Sequence, residues 1–229
     1  MTRLLFAAVA LSAAACATTP AQPPREKLRD RLSPPPTETL ASATTVLADL
    51  SRIPEKGIPP ALLADAKGVV VIPRVVKAGF VVAGSGGHGV VMARGADGWT
   101  DPVFVNFGGG SVGFQAGVEA TDVVLVFRDQ KSLDRVREGK AKLTLGADAG
   151  VAAGPVGRQA RAATDVPLRA EVLSYSRSRG LFAGVALDGS VIRPDPATNA
   201  EFRADQRPEV ARQVAALKTT LDLMSRPAE

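Results

Sequence analysis

Between roughly Val69 and Arg193 the chain carries short runs rich in β-branched and aromatic residues, and glycine separates many of them. Such runs predict β-strands, because branched and aromatic side chains pack well on a pleated surface. A chain with this many strand signals must fold around a sheet, and the GADG segment at 95–98 predicts a hairpin connection between two of the strands. The runs are VVVIP, GFVVAG, GVVMAR, PVFVNF, VGFQAGV, DVVLVF, KLTL, AEVLSYSRS and GVALDG.

Helical periodicity occurs at both ends of this region and once inside it. An apolar stripe predicts a first helix that Thr37 caps, and a short second helix is expected between 59 and 68. The segment DQKSLDRVREG predicts a third helix, and a last stripe predicts a helix over 208–225 that packs on the sheet. We therefore expect a single α+β domain over 37–229, a twisted antiparallel sheet or partial barrel flanked by N- and C-terminal helices. The stripes are Leu40, Ala43, Leu47 and Leu50, then Val210, Val214, Leu217, Leu221 and Met224.

The N-terminal residues predict export. Arg3 precedes an apolar stretch that ends in three alanines, which is typical of a signal peptide over 1–15. Cys16, the only cysteine, follows directly and resembles the acylated cysteine of a bacterial lipobox. We expect a lipidated, proline-rich tether over 16–36 and an outer-membrane lipoprotein that faces the periplasm of a bacterial envelope. An ordinary signal peptide with an incidental cysteine is the alternative.

The positive net charge of the chain indicates which classes of binding partner it could attract. A net charge of +5 and a pI near 9.7 allow attraction to nucleic acid or to an anionic membrane surface. Nucleic-acid binding is disfavoured, because only 4% of the residues are aromatic and the signal peptide predicts export. One histidine and one cysteine do not make a zinc site, and no calcium-loop pattern occurs, so no metal or cofactor is expected.

Two glycine-rich segments, 84–89 and 108–113, match the G-x-G-x-x-G pattern of dinucleotide-binding loops. That loop must open a helix, whereas both segments lead into strand-like sequence, so we interpret them as glycine turns or flattened strand crossings. The second segment also matches the G-x-S-x-G elbow of hydrolases around Ser111. No helix follows, and the only histidine, His88, precedes the serine, so a serine hydrolase is a minor alternative.

The segment LSYSRSRG at 173–180 alternates hydroxyl and guanidinium side chains. Read as a strand, it places Tyr175, Arg177 and Arg179 on one face and the serines on the other. A buried arginine requires a partner, and the planar guanidinium fits both carboxylate and phosphate. The residues leave open whether these arginines pair with a carboxylate such as Asp122, Asp148 or Asp165 or bind an anionic ligand.

Four long segments together resemble the SYLF family of lipid-binding domains, and the resemblance covers about 58–202, the expected core of the domain. It implies binding of anionic phospholipids, with phosphatidylinositol binding in eukaryotic members and actin binding in some fungal relatives. It implies no enzymatic chemistry. The segments are AKGVVVIPRVVKAGFVVAGSGGHGVVMAR, GGGSVGFQAGVEATDVVLVF, LTLGADAGVAAGPVGRQARAATD and LSYSRSRGLFAGVALDGS.

For this chain we expect contact with anionic phospholipid headgroups, with additional membrane attachment through acylated Cys16. The alternative is a structural lipoprotein that binds another protein of the envelope. We expect no catalytic residues. The candidate lipid-binding residues are Arg74, Lys77, Lys140, Arg177 and Arg179.

Overall fold

Two long strands, β1 (Gly68–Gly95) and β3 (Val103–Phe127), pair antiparallel and organise the fold. The computed structural model describes residues 33–52, 57–138, 142–155, 170–178, 181–184 and 187–226, with the backbone alone at 78–83, 111–118, 178 and 181–184. The other strands are β2 (Gly98–Trp99), β4 (Leu143–Thr144), β5 (Val151–Ala153), β6 (Val172–Ser178), β7 (Leu181–Gly184) and β8 (Val191–Pro194). The helices are α1 (Pro36–Ser51), α2 (Pro60–Ala64), α3 (Gln130–Arg137), α4 (Pro196–Ala204) and α5 (Pro208–Met224).

The eight strands form one curled sheet, a half-barrel, which confirms the α+β class. Its pairs are antiparallel except for β5 with β6, which are parallel. The hairpin predicted at GADG is confirmed, because β1 and β2 pair with Gly95 opposite Gly98. Six of the short runs expected to be separate strands merge into β1 and β3, since the glycines between them lie inside the strands and do not end them.

Side chains alternate between two cores, one on each face of the sheet. The core that contains α3, called the inner core here, has Leu133 and Val136 of that helix fully buried. Asp129 caps α3 by accepting a hydrogen bond from the Ser132 N–H at 2.8 Å. The helix predicted from DQKSLDRVREG is therefore confirmed.

The outer core lies on the opposite face, beneath α1, α2 and α5. The apolar stripes of α1 and α5 are buried there, as expected, and the two helices pack on each other as well as on the sheet. The prediction that Thr37 caps α1 is wrong: the N-cap is Pro35, because Pro36 has the fixed backbone torsion that suits the first helical position. The second helix ends earlier than expected, since β1 begins at Gly68. Within the described residues, none of the helices is long and apolar enough to cross a bilayer.

The side chain of Asn199 in α4 hydrogen-bonds to the β3 backbone next to the point where the pairing of β8 with β3 ends. Its side-chain oxygen accepts from the Phe104 N–H at 2.8 Å, and its Nδ2 donates to the Phe104 carbonyl at 2.8 Å. We expect Asn199→Leu to lower the free energy of unfolding by about 2 kcal/mol, because it leaves a buried backbone N–H unpaired. Urea unfolding would measure this. Asn106→Leu is the control, since Asn106 makes no side-chain hydrogen bond within the described residues, and an equal loss there would contradict the explanation.

Candidate anion-binding cleft

Arg177, a predicted lipid-binding residue, lies on β6 and is held between two carboxylates. Its Nε donates to Asp122 Oδ2 at 2.9 Å, and its Nη1 forms a short hydrogen bond with Asp49 of α1. Burial by itself would lower the pKa of the guanidinium, but the hydrogen bonds and charges of Asp49 and Asp122 raise it above its ordinary value. Of the two partners that the sequence left open for Arg177, the structure places carboxylates beside it.

Asp122 also fixes a bend in β1. The pairing of β1 with β3 shifts register between Ile72 and Val75, and Arg74 inside this bulge has a positive φ of 49°. The Arg74 N–H donates to Asp122 Oδ1 at 3.0 Å. The same carboxylate therefore accepts hydrogen bonds from the backbone of the bulge and from the Arg177 side chain. Asp122 therefore joins the bulge of β1 to the side chain of Arg177.

The other predicted cations differ in their surroundings. The Arg74 guanidinium is exposed and pairs with Glu38 of α1 at 2.6 Å. Lys77 is exposed on β1, opposite Glu119 of β3. Lys140, Arg179 and the acylation candidate Cys16 lie outside the described residues. Contact of the predicted set with lipid therefore stays a prediction.

Tyr175, the only tyrosine, is a core residue. Its ring is fully buried, its hydroxyl donates to the Pro155 carbonyl at 3.3 Å, and burial raises its pKa above the ordinary value. A Cβ on Gly154 would lie 2.1 Å from the ring, so glycine is required beside it. Tyr175 and Arg177 share the outer face of β6, as the alternation predicted.

The two glycine-rich motifs lie opposite each other in the β1–β3 ribbon, where Gly84 pairs with Gly110 and Gly86 with Gly108. Neither motif opens a helix, so neither has the geometry of a dinucleotide loop. The strand-crossing interpretation is confirmed at Gly89, where a Cβ would lie 2.2 Å from the Val71 carbonyl oxygen. Ser111 lies inside β3, five register positions from the residue that pairs with His88. A position within a strand is not the strand-to-helix turn that a hydrolase elbow requires.

Three basic residues that sequence reasoning did not combine meet at a cleft on the edge of the sheet. The Lys67 N–H donates to the Phe127 carbonyl, and the Arg94 N–H donates to the Lys67 carbonyl, each at 2.8 Å. These two backbone hydrogen bonds bring Lys67, Arg94 and Arg128 together from the ends of β1 and β3. The cleft has a volume of about 570 Å³ and is lined by Ala64, Asp65, Ala66, Lys67, Arg94, Gly95 and Arg128.

Arg94 is the fixed cation of this cleft. Its guanidinium stacks over the Trp99 ring at 4.3 Å, and its Nη2 donates to the Leu63 carbonyl at 3.0 Å and to Ser225 Oγ at 2.9 Å. No carboxylate pairs with Arg94 within the described residues. Its charge is therefore held in place by neutral groups and is not neutralised by them.

Lys67 and Arg128 complete the basic wall. Lys67 is exposed and makes no side-chain hydrogen bond or ion pair within the described part of the chain. Arg128 is half-buried and reaches only the Ala170 carbonyl, at a long 3.5 Å. Three cations without a paired carboxylate attract an anion, and guanidinium groups suit phosphate because of their planar donor geometry. Within the described residues, no cluster of His, Cys, Asp and Glu could hold a metal ion.

Comparison with known proteins finds a matching family. The model of the Ysc84 family, described as "Las17-binding protein actin regulator", matches residues 108–216. Over these residues the chain is similar to the SYLF (Ysc84) family. Human SH3 domain-containing YSC84-like protein 1 is 39% identical over 150 residues, which are 65% of this chain and 43% of the relative. LAS seventeen-binding protein 3 of Saccharomyces cerevisiae is 40% identical over 151 residues, which are 65% of this chain and 32% of the relative.

The chain spans less than half the length of these curated relatives. No solved structure matches it significantly. Several residues of the four SYLF-like segments have structural roles here. Lys67 joins the backbones of Phe127 and Arg94, Asp122 accepts from the β1 bulge, and Gly146 adopts a positive φ of 85° in a turn. In the same turn, the Thr144 N–H donates to Asp148 at 2.7 Å and lowers the pKa of that carboxyl.

Proposed function

We propose that this protein binds anionic phospholipid headgroups without catalysing a reaction, as a lipoprotein anchored through acylated Cys16 to the periplasmic face of the outer membrane. The observation that carries the headgroup proposal is the cleft of Lys67, Arg94 and Arg128, whose positive charges have no paired carboxylate within the described residues. Basic side chains near an anionic membrane surface contribute about 1 kcal/mol each. The acyl anchor would supply most of the residence at the membrane, and the three basic residues would add the preference for anionic lipid.

The cleft has the properties that a phosphate headgroup requires. Arg94 is held in one orientation by Trp99, Leu63 and Ser225, so little side-chain entropy is lost when it meets a phosphate. Lys67 is exposed and can adjust to the ligand. The cleft therefore combines a pre-oriented guanidinium with an adaptable ammonium group, in a space larger than a single headgroup phosphate.

Sedimentation with vesicles tests the proposal. The chain from residue 17 to 229, which lacks Cys16 and keeps the whole unit Ser33–Glu229, is mixed with vesicles of phosphatidylcholine alone or with added phosphatidylglycerol. We expect binding only to the anionic vesicles, and weaker binding at high salt because salt screens exposed charges. A folded protein that binds neither kind of vesicle would show that no part of the described domain recognises lipid.

A pair of charge reversals locates the binding surface. We expect Lys67→Glu with Arg128→Glu to weaken binding to anionic vesicles at least tenfold, given about 1 kcal/mol for each basic residue. Arg203→Glu with Arg212→Glu is the control, because both arginines are exposed and the change in net charge is the same. Equal losses in the two pairs would mean that net charge, and not the cleft, determines binding.

The second candidate function is binding of a protein partner, which the names of the relatives favour. The matching family is described as Las17-binding, and the yeast relative is named for the same partner. Such a scaffold would stay in solution with every vesicle once the acyl anchor is removed. The vesicle experiment therefore separates the two functions.

A further inference from the structure

Asp65 is the acidic residue among those that line the basic cleft. It is exposed, and its carboxylate forms no ion pair with Lys67, Arg94 or Arg128 within the described residues. Its backbone N–H donates to the Ala61 carbonyl at 3.1 Å and ends α2, so the side chain is not needed for that cap. The cleft therefore presents three cations and a separate, unpaired acceptor.

A carboxylate in this place affects which anion fits. A phosphate group with no hydrogen-bond donor gains from the cations but is repelled by Asp65. A phosphate that carries hydroxyl groups a few bonds away can contact the cations and donate to the carboxylate at once, and hydrogen bonds to charged groups are the stronger ones. A headgroup ammonium could also reach Asp65, but it would have to approach three cations.

We propose that the cleft selects polyol phosphate headgroups and that Asp65 determines this specificity by accepting a hydroxyl hydrogen bond. This inference rests on the proposed function and goes further, since headgroup binding by the three cations alone requires no hydroxyl. Phosphatidylglycerol has the required chemistry. Phosphatidylmethanol is the matched ligand, because it has the same phosphodiester charge and no hydroxyl.

The experiment compares vesicles that contain equal fractions of these two lipids in phosphatidylcholine, using the same chain from residue 17 to 229. We expect wild-type protein to bind phosphatidylglycerol vesicles about tenfold more tightly, which corresponds to about 1.4 kcal/mol. Asp65→Ala should abolish this preference and leave binding to phosphatidylmethanol equal or tighter, because a repelling charge is gone. Glu201→Ala is the control, since it removes one exposed carboxylate from α4 and should keep the preference.

The outcomes distinguish failure of the inference from failure of the proposed function. Equal binding of the wild-type protein to both anionic vesicles overturns the inference and keeps headgroup binding. A preference that survives Asp65→Ala overturns the role of Asp65. A higher affinity for phosphatidylethanolamine vesicles than for phosphatidylglycerol vesicles would show that an ammonium group is selected instead. Absence of binding to every vesicle overturns both proposals. Thermal unfolding of Asp65→Ala checks that the fold is retained, as expected for an exposed side chain.

Discussion

Gly89→Ala is expected to lower the free energy of unfolding by about 3 kcal/mol or more, a large part of the stability of a typical domain. The added Cβ would lie 2.2 Å from the Val71 carbonyl oxygen and 2.9 Å from the Ile72 Cα. Both atoms belong to the backbone of a paired strand, so they cannot move away as a flexible side chain can. Urea unfolding followed by circular dichroism measures the loss.

Gly86→Ala is the control, because Gly86 belongs to the same G-x-G-x-x-G motif. Its Cβ would lie 3.9 Å from the nearest described atom, the Phe107 carbonyl oxygen, which is ordinary contact. We expect a change within about 0.5 kcal/mol. If the motif were instead a ligand loop, alanine at Gly86 would affect ligand binding and alanine at Gly89 would leave stability unchanged. That pattern would contradict the strand crossing.

Gly89 also shows where sequence reasoning about this fold ends. The strand-like composition between Val69 and Arg193 predicted the sheet. The glycine-rich segments were interpreted as turns or strand crossings, and only the crossing interpretation holds. The same glycines were also taken as the ends of short strands, although β1 and β3 run through them. Glycine weakens a strand in isolation, and only the long-range ladder between β1 and β3 determines that the strand continues.

Local signals predicted the helices better than their caps. The apolar stripes of α1 and α5 are buried as expected, because a stripe requires only helical periodicity and a surface to cover. The cap of α1 was wrong by two residues, since Thr37 and Pro36 are both good helix-starting residues and the sequence does not rank them.

The basic cleft could not be predicted from the sequence. Lys67, Arg94 and Arg128 are far apart in the chain, and they meet only because Lys67 bridges the backbones of two strands. Composition showed an excess of positive charge, but not which cations would be without carboxylate partners. The partner of Arg177 was predicted in part. Asp122 was one of three candidate carboxylates, with Asp148 and Asp165, whereas Asp49 becomes a partner only when α1 packs on β6.

Arg177→Met is expected to lower the free energy of unfolding by about 2 kcal/mol, measured by urea unfolding. Breaking a fully buried ion pair costs about 3–5 kcal/mol. We expect less here, because 23% of the Arg177 side chain is exposed and water stabilises part of the remaining charge. Asp122, only 9% exposed, would lose its donor from Arg177 and keep the one from the Arg74 backbone.

Two further variants separate the ion pair from lipid contact at Arg177. Arg74→Met is the control, since Arg74 and Glu38 form an exposed pair and we expect a loss below about 1 kcal/mol. Adding Asp122→Asn to Arg177→Met should recover part of the stability, because it removes the unpaired charge and keeps an oxygen that can accept from the Arg74 N–H. If Arg177→Met instead leaves stability unchanged and abolishes binding to anionic vesicles, Arg177 is a headgroup contact, and the carboxylates beside it only orient it.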